Sequence, residues 1–311
     1  MQVFRGIPKF NERPCVLTIG NFDGVHLGHQ ALLARLRHRA ATLGLPSAVM
    51  TFEPLPREYF APDEAPPRLT SLRRKLELLE AQGINQVYVQ PFNASFSSLT
   101  AEDFIDRVLV RGLRARHLLI GDDFCFGKGR KGNFETLRAA GDLRGFRVEA
   151  LETVDLGGER VSSSAVRNAM LEGDMVHANM LLGAPFEVVG RVMHGDKIGR
   201  TIGFPTANIQ LRQKTMPLSG IFAVTVAGGP LDHVPGAASL GVRPTIGDKL
   251  ALRLEVFVLD FDGDLYHQRL RVRFWRKIRN EAKYDSLNEL TAAINKDCAQ
   301  VRQYFAAGQS F

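Results

Sequence analysis

Short apolar runs alternate with amphipathic stretches over roughly the first 180 residues. CVLTIG (15–20) has the continuous apolar character of a strand buried on both faces. HQALLARLRHRAATLG (29–44) follows with helical spacing and ends at Gly44, a suitable left-handed stop. SAVMTF (47–52), QVYVQ (86–90) and HLLIG (117–121) predict further strands. Between them, SLRRKLELLEAQG (71–83) and LTAEDFIDRVLV (99–110) predict helices capped by Ser71 and Thr100. Strands alternating with helices imply a parallel sheet covered on both faces, a Rossmann-like α/β layout.

The texture changes after LLGAPFEVVGRV (181–192). Helical periodicity stops, and Gly and Pro punctuate strand-like runs such as IFAVTVA (221–227), LRLEVFVLDF (252–261) and LRVRFW (270–275). Closely spaced strands predict an antiparallel barrel. FDGD (261–264) reads as a hairpin turn. One Ser-capped helix is expected over 286–305. The boundary falls near 183, giving domains 1–183 and 184–311.

Composition narrows the class. The 311 residues are 45% hydrophobic and 23% charged, enough for two cored domains and against bulk disorder. No apolar run reaches the ~18 residues of a membrane span, and the N-terminus lacks the apolar core of a secretory signal. Cys15, Cys125 and Cys298 are odd in number and far apart, which excludes a complete disulfide framework and fits the cytoplasm. The net charge is +7, with +2 on residues 1–183 and +5 on the remainder. This balance suits anionic partners, though a solvated basic surface explains it equally well.

The densest chemistry of the first domain is GNFDGVHLGH (20–29), between a strand and a helix. Gly20, Asn21, Phe22 and Gly24 form a turn that phosphate can approach, at a helix N-terminus. His26 and His29, three apart, can share one side of that helix start and donate to a triphosphate as charge develops. HxGH in this setting signals nucleotidyl transfer. The plainer alternatives are two unrelated surface histidines, or a metal site that lacks an evident third ligand. VSSSAVRNAM (161–170) adds Ser162, Ser163, Ser164 and Arg167 as an anion clamp. An ordinary helix cap is the competing reading. Asp122, Asp123 and Phe124 follow HLLIG at a strand's carboxyl end, where doubly wound folds bind ligands. GKGRKG (127–132) matches GxGxxG but does not follow the first strand. It reads as a flap beside phosphate rather than a dinucleotide fingerprint.

In the second domain HGDKIGRTIGFPTAN (194–208) offers Gly195, Lys197, Gly199 and Arg200 to phosphate. Thr206 and Asn208 are two apart on one strand face, hard oxygen donors suited to Mg²⁺. A structural glycine-rich turn is the alternative. Glu255 sits within an apolar strand, either as a general base or as an outward-facing carboxylate. Arg279 and Glu281 mark a loop that could meet a ligand.

These residues, with TFEP, GVRPTIG, LEVFVLDFDGDLY and IRNEAKYDSLNEL in the same order, resemble the bacterial bifunctional riboflavin kinase/FMN adenylyltransferase (FAD synthetase) family over essentially the whole chain. The resemblance implies adenylyl transfer from ATP to FMN in the N-terminal domain, giving FAD and pyrophosphate. It implies Mg²⁺- and ATP-dependent phosphorylation of riboflavin in the C-terminal barrel. By this resemblance His26 and His29 bind ATP phosphates and stabilise the transition state. Ser162–Ser164 and Arg167 complete that site, and Asp122 lies near the substrates. Thr206 and Asn208 ligate Mg²⁺ and ATP, Glu255 is the catalytic base, and Arg243 belongs to the kinase ligand site. Ser164, Cys125, Leu55 and Ala238-Ser239-Leu240 depart from the family pattern. A nucleic-acid-binding barrel is the competing class. It is disfavoured by a sparse aromatic set and by the lack of a KMSKS-like loop. The expected partners are small molecules, with neither nucleic acid nor membrane, and the sequence does not set the oligomeric state.

Overall fold

A computed structural model describes all residues except 12, 122, 196–198, 200–201, 212, 214, 245–249 and 309–311, and the side chains of 242–244, 250 and 251. The chain packs as two compact units, Met1–Pro66 with Leu72–Ser162, and Pro67–Ser71 with Ser163–Phe311.

In the first unit β1 (Gln2–Arg5), β2 (Cys15–Ile19), β3 (Ser47–Glu53), β4 (Gln86–Pro91), β5 (Ala115–Gly121) and β6 (Arg147–Leu151) form a sheet in the order β1-β4-β3-β2-β5-β6. Every pairing is parallel. Central β2 is buried at all five positions because both faces are covered. Val16, Val49, Val87 and Leu119 face α1 (Leu27–Leu43) and α3 (Leu72–Ala81), which contribute Leu33, Leu36 and Leu79. Leu17, Met50, Leu118 and Ile120 face a π-helix (Phe104–Gly112) and α6 (Phe134–Arg144). Short helices α2 (Pro56–Phe60), α4 (Ala94–Ser97) and α5 (Ala101–Asp103) lie in the connections.

The helix expected over 99–110 starts as predicted, with Thr100 Oγ1 accepting the Asp103 N–H at 3.0 Å. It then widens. Its buried pairs Phe104/Ile105, Val108/Leu109 and Gly112/Leu113 recur four apart, a longer period than 3.6. The Leu113 N–H reaches the Val108 carbonyl five residues back. Strands β1 and β6 are not among the strands that the apolar runs predict; they are sheet edges with no fully buried position. β7 (Asp155–Leu156) and β8 (Glu159–Arg160) form a small hairpin over Gly157-Gly158.

The second unit begins with α7 (Ser163–Glu172) and α8 (Met175–Leu182). Then β9 (Phe186–Met193), β10 (Ala207–Ile209), β11 (Gly220–Gly228), β12 (Leu231–Pro244), β13 (Leu250–Val258) and β14 (Arg269–Arg279) close into an antiparallel barrel in the order β10-β13-β12-β11-β14-β9. The last helix, α9 (Leu287–Ala306), packs Cys298 and Val301 onto Ala223 and Ala237. The sequence boundary at 183/184 follows the change in periodicity, whereas the compact units divide at Ser162/Ser163. Buried Asn179 accounts for the difference. Its amide donates to the Phe274 carbonyl at 2.9 Å and accepts the Phe186 N–H at 2.8 Å, tying α8 to β14 and β9. FDGD is not a hairpin turn. It joins β13 to β14, which are not neighbours in the barrel. Turn chemistry reports a local reversal, while strand pairing is decided by the barrel.

Candidate functional site

The first constellation is built on the β2–α1 loop. Phe22, Gly24 and Val25 adopt positive φ. For Phe22 and Val25 this backbone costs about 1–2 kcal/mol each, offset because both side chains are buried in the core. The loop is thereby fixed, and it delivers His26 as the N-cap of α1. The His29 N–H donates to His26 Nδ1 at 3.4 Å, and the two rings stack with centroids 3.7 Å apart. As an acceptor, Nδ1 leaves the His26 proton on Nε2. Burial, His26 and Lys75 together push the His29 pKa well below the usual imidazole value, so the ring is neutral at neutral pH. A Cβ on Gly28 would come within 3.2 Å of the His26 ring and 3.3 Å of the Val161 carbonyl. Glycine therefore lets the end of the segment before Ser162 approach the helix start. Gly20 donates its N–H to the Met50 carbonyl at 3.1 Å, and the Asn21 carbonyl accepts from Thr51 Oγ1 at 3.2 Å.

Ser163, Ser164 and Arg167 lie on the first turns of α7 in the second unit, while Ser162 closes the first. Arg167 Nε donates to the Pro67 carbonyl at 2.7 Å, so part of its guanidinium is spent on the backbone. Asp122 lies outside the described residues. The carboxylate of Asp123 is paired with Arg160 at 3.1 Å, and the Phe124 ring stacks on Phe126. GKGRKG closes into a small loop, pinned where Phe126 and Gly132 exchange backbone hydrogen bonds, with Lys128 and Arg130 exposed.

An aromatic series escaped sequence reasoning. Rings of Phe60, Phe92, Phe96, Phe104 and Phe126 meet one after another at 5.0–6.1 Å. Phe60, at the open end, is 67% exposed. No short motif announces it, because only Phe92 and Phe96 are close in sequence and the other members come from separate segments.

The second constellation lies in the barrel. A cavity of about 250 Å³ is lined by Thr206, Asn208, Ser239, Glu255, Arg279 and Glu281, among others. Strand register explains the grouping. Glu255 on β13 is paired directly with Asn208 on β10 and with Ser239 on β12. Arg253 approaches Glu255 Oε1 to 3.9 Å. Gly195 and Gly199 have a packing role, as the structural-turn reading expects: a Cβ at Gly195 would occupy the place of the Asn208 amide and one at Gly199 that of the Phe204 carbonyl. Lys197 and Arg200 lie outside the described residues, as does the Arg243 side chain.

Arg279 differs from expectation. Its guanidinium does not stand free for a ligand but grips Asp297 of α9 through two bonds, Nε–Oδ1 at 2.8 Å and Nη2–Oδ2 at 2.7 Å. That hydrogen bonding raises the Arg279 pKa further. Glu281 accepts from Ser239 Oγ at 3.2 Å. Among the described residues no group of three His, Cys, Asp or Glu side chains forms a metal cage. The hydroxyl and amide oxygens of Thr206 and Asn208 instead suit a hard cation that keeps water and phosphate ligands, which is the habit of Mg²⁺.

Known proteins resemble the chain over nearly its whole length. A family model described as FAD synthetase matches residues 9–165, and one described as riboflavin kinase matches 182–305. Bifunctional riboflavin kinase/FMN adenylyltransferase from Pseudomonas fluorescens is 50% identical over 306 residues, covering 97% of each chain. The protein of that name from Escherichia coli K12 is 47% identical over 98% of each chain. A solved structure titled macrolide-efflux protein, from Streptococcus pneumoniae, superposes with a TM-score of 0.84 at 29% identity, covering 97% of this chain and 99% of that one. No helix among the described residues is long and apolar enough to cross a membrane.

Proposed function

The chain belongs to the bifunctional riboflavin kinase/FMN adenylyltransferase family, and we propose that its two reactions divide between the constellations above. The protein phosphorylates riboflavin to FMN and adenylylates FMN to FAD. We assign the first reaction to residues 184–311 and the second to residues 1–183. The pairing of Glu255 with Asn208 and Ser239 at the cavity wall carries the kinase assignment.

In the barrel, Glu255 accepts the proton of the ribityl hydroxyl as that oxygen attacks the γ-phosphorus of ATP, and the bond from the γ-phosphorus to the departing ADP oxygen breaks. Thr206 and Asn208 would hold Mg²⁺, which when bound would neutralise phosphate charge. Gly195 and Gly199 belong to the phosphate side and Glu281 to the flavin side; Lys197, Arg200 and Arg243 are expected on the phosphate side from the sequence alone. Arg279 orders the rim through Asp297. No protein nucleophile is needed, because positioning and charge stabilisation suffice.

In the first unit a phosphate oxygen of FMN attacks the α-phosphorus of ATP, and the bond to pyrophosphate breaks. His26 and His29 donate to phosphate oxygens as negative charge shifts outward. The loop Gly20–Gly24 and the α1 N-terminus approach the triphosphate. Ser162, Ser163, Ser164 and Arg167 are anion-binding donors expected from the sequence alone. We assign Asp123 and Phe124 to the flavin side, where the sequence also puts Asp122. The exposed ring of Phe60, at the open end of the aromatic series, offers a face to the planar isoalloxazine. Three free thiols support a cytoplasmic location.

Incubation with riboflavin, ATP and Mg²⁺ should yield FMN that then converts to FAD, followed by chromatography. Glu255→Gln should lower riboflavin phosphorylation at least ~100-fold and leave FMN adenylylation intact. Equal loss of both activities in a folded variant would refute the separate sites.

A further inference from the structure

Lys75 lies on α3 in line with Leu72, Leu76 and Leu79, on the stripe that meets the sheet. It is 1% exposed, among the most deeply buried large side chains of the chain. Burying an ammonium is expensive, so a fold that keeps one there spends stability on it. Its Nζ donates to Thr51 Oγ1 at 3.4 Å. Thr51 Oγ1 in turn donates its own proton to the Asn21 carbonyl at 3.2 Å. A hydroxyl has one proton and two lone pairs, so it can serve both bonds at once. The relay ends in the loop whose left-handed residues deliver His26 and His29.

We propose that Lys75 is a positioning residue for adenylyl transfer, its buried ammonium anchoring through Thr51 the loop that carries the two histidines. The proposal rests on the assignment of FMN adenylylation to the first unit. In a water-poor interior such a charge acts at longer range than in solvent. The groups acting on His29 are His26 from its own loop and Lys75 from α3, with Phe22 supplying an apolar wall. Asp23 is the buried acid of the same loop. Lys75 thus favours a neutral His29 that arrives as a hydrogen-bond donor, and adds fixed positive charge beneath the place where phosphate charge grows.

The test uses the full-length protein, with FMN-to-FAD and riboflavin-to-FMN rates followed in one preparation across pH. Lys75→Met should lower kcat for adenylylation at least ~10-fold and leave riboflavin phosphorylation within about twofold of wild type. The acid limb of its adenylylation profile should move to higher pH, since His29 then titrates closer to its ordinary value. Thr51→Val should lower adenylylation by about 3–10-fold without moving that limb, because the charge remains. Unchanged adenylylation in folded Lys75→Met overturns the proposal, as does a fall with an unmoved acid limb, which marks a purely structural lysine. If Lys75→Met does not fold, Thr51→Val decides, and a wild-type rate there overturns it. A wild-type protein that makes no FAD from supplied FMN would sink the activity assignment, and this proposal with it, before either variant is made.

Discussion

At the scale of single residues, Gly241 and Ser239 explain how an exposed acid is held in place. Glu281 lies on a loop, where a carboxylate would ordinarily sample many rotamers at little cost. Ser239 Oγ donates to it at 3.2 Å, and the bare Cα of Gly241 leaves the space its carboxylate fills. Ser239 belongs to the stretch that departs from the family pattern, and its hydroxyl gives that departure a physical role. Gly241→Ala puts a methyl where the carboxylate sits, and its φ is not in the left-handed range, so the backbone tolerates the change. The side chain swings away instead. The KM for riboflavin should rise about 10-fold with a smaller change in kcat, and FMN adenylylation should be unaffected. Steady-state kinetics of both reactions on the purified variant checks this. Ser239→Ala, which removes one hydrogen bond and adds no bulk, should raise the same KM only a few-fold.

At the scale of elements, helices α3 and α9 share a feature that the sequence displayed in plain view. Each carries a charged residue on its apolar stripe. Lys75 falls among Leu72, Leu76 and Leu79, and Asp297 falls among Ile294, Cys298 and Val301. A charge at such a position needs a partner or a task, and asking for it would have found both residues. Asp297, 4% exposed, holds Arg279 bidentately, and so ties α9 to the end of β14 and the loop with Glu281. Asp297→Ala strands a guanidinium that remains about a quarter exposed. The expected loss of about 2–3 kcal/mol is therefore below that for a fully buried pair. Trp275, the single tryptophan, packs against Phe305 of α9 and donates to Thr225, so its fluorescence reports the melting of this unit directly. The alternation of apolar runs made the parallel sheet and the barrel legible, as did the glycine-rich motifs for both constellations. Other features lay beyond local pattern. The edge strands β1 and β6 have no buried face to mark them, and the π-helix differs from an α-helix only in which residues meet the core. The Glu255–Asn208–Ser239 grouping depends on register between strands far apart in sequence.

At the scale of the whole molecule, the two units differ in how they answer acid. Two imidazoles of the first unit are held neutral. His29 is depressed by burial, His26 and Lys75. His117 is depressed by burial and Arg39, against the opposing pull of Glu149. Glu149, despite the upward push of burial, is held below the usual carboxylate range by Arg35 and Arg39. For each of these groups the unfolded chain binds protons at a higher pH than the folded one. Stability is then full above the unfolded value, near 6.5 for histidine, and falls as pH drops below it. The slope is at most about 1.4 kcal/mol per pH unit for each imidazole kept neutral. The carboxylate adds its loss only further down, below its own unfolded value near 4.5. Unfolding followed by far-ultraviolet circular dichroism should therefore show the Met1–Ser162 unit losing stability between about pH 6.5 and 5. Trp275 fluorescence, which sees only the barrel unit, should move less over that window. Equal acid shifts by both probes would mean that His29 and His117 titrate normally in the folded protein. His117→Gln keeps a hydrogen bond to Glu149 available without a titrating ring. It should flatten part of the slope between pH 6.5 and 5 and leave the carboxylate region unchanged.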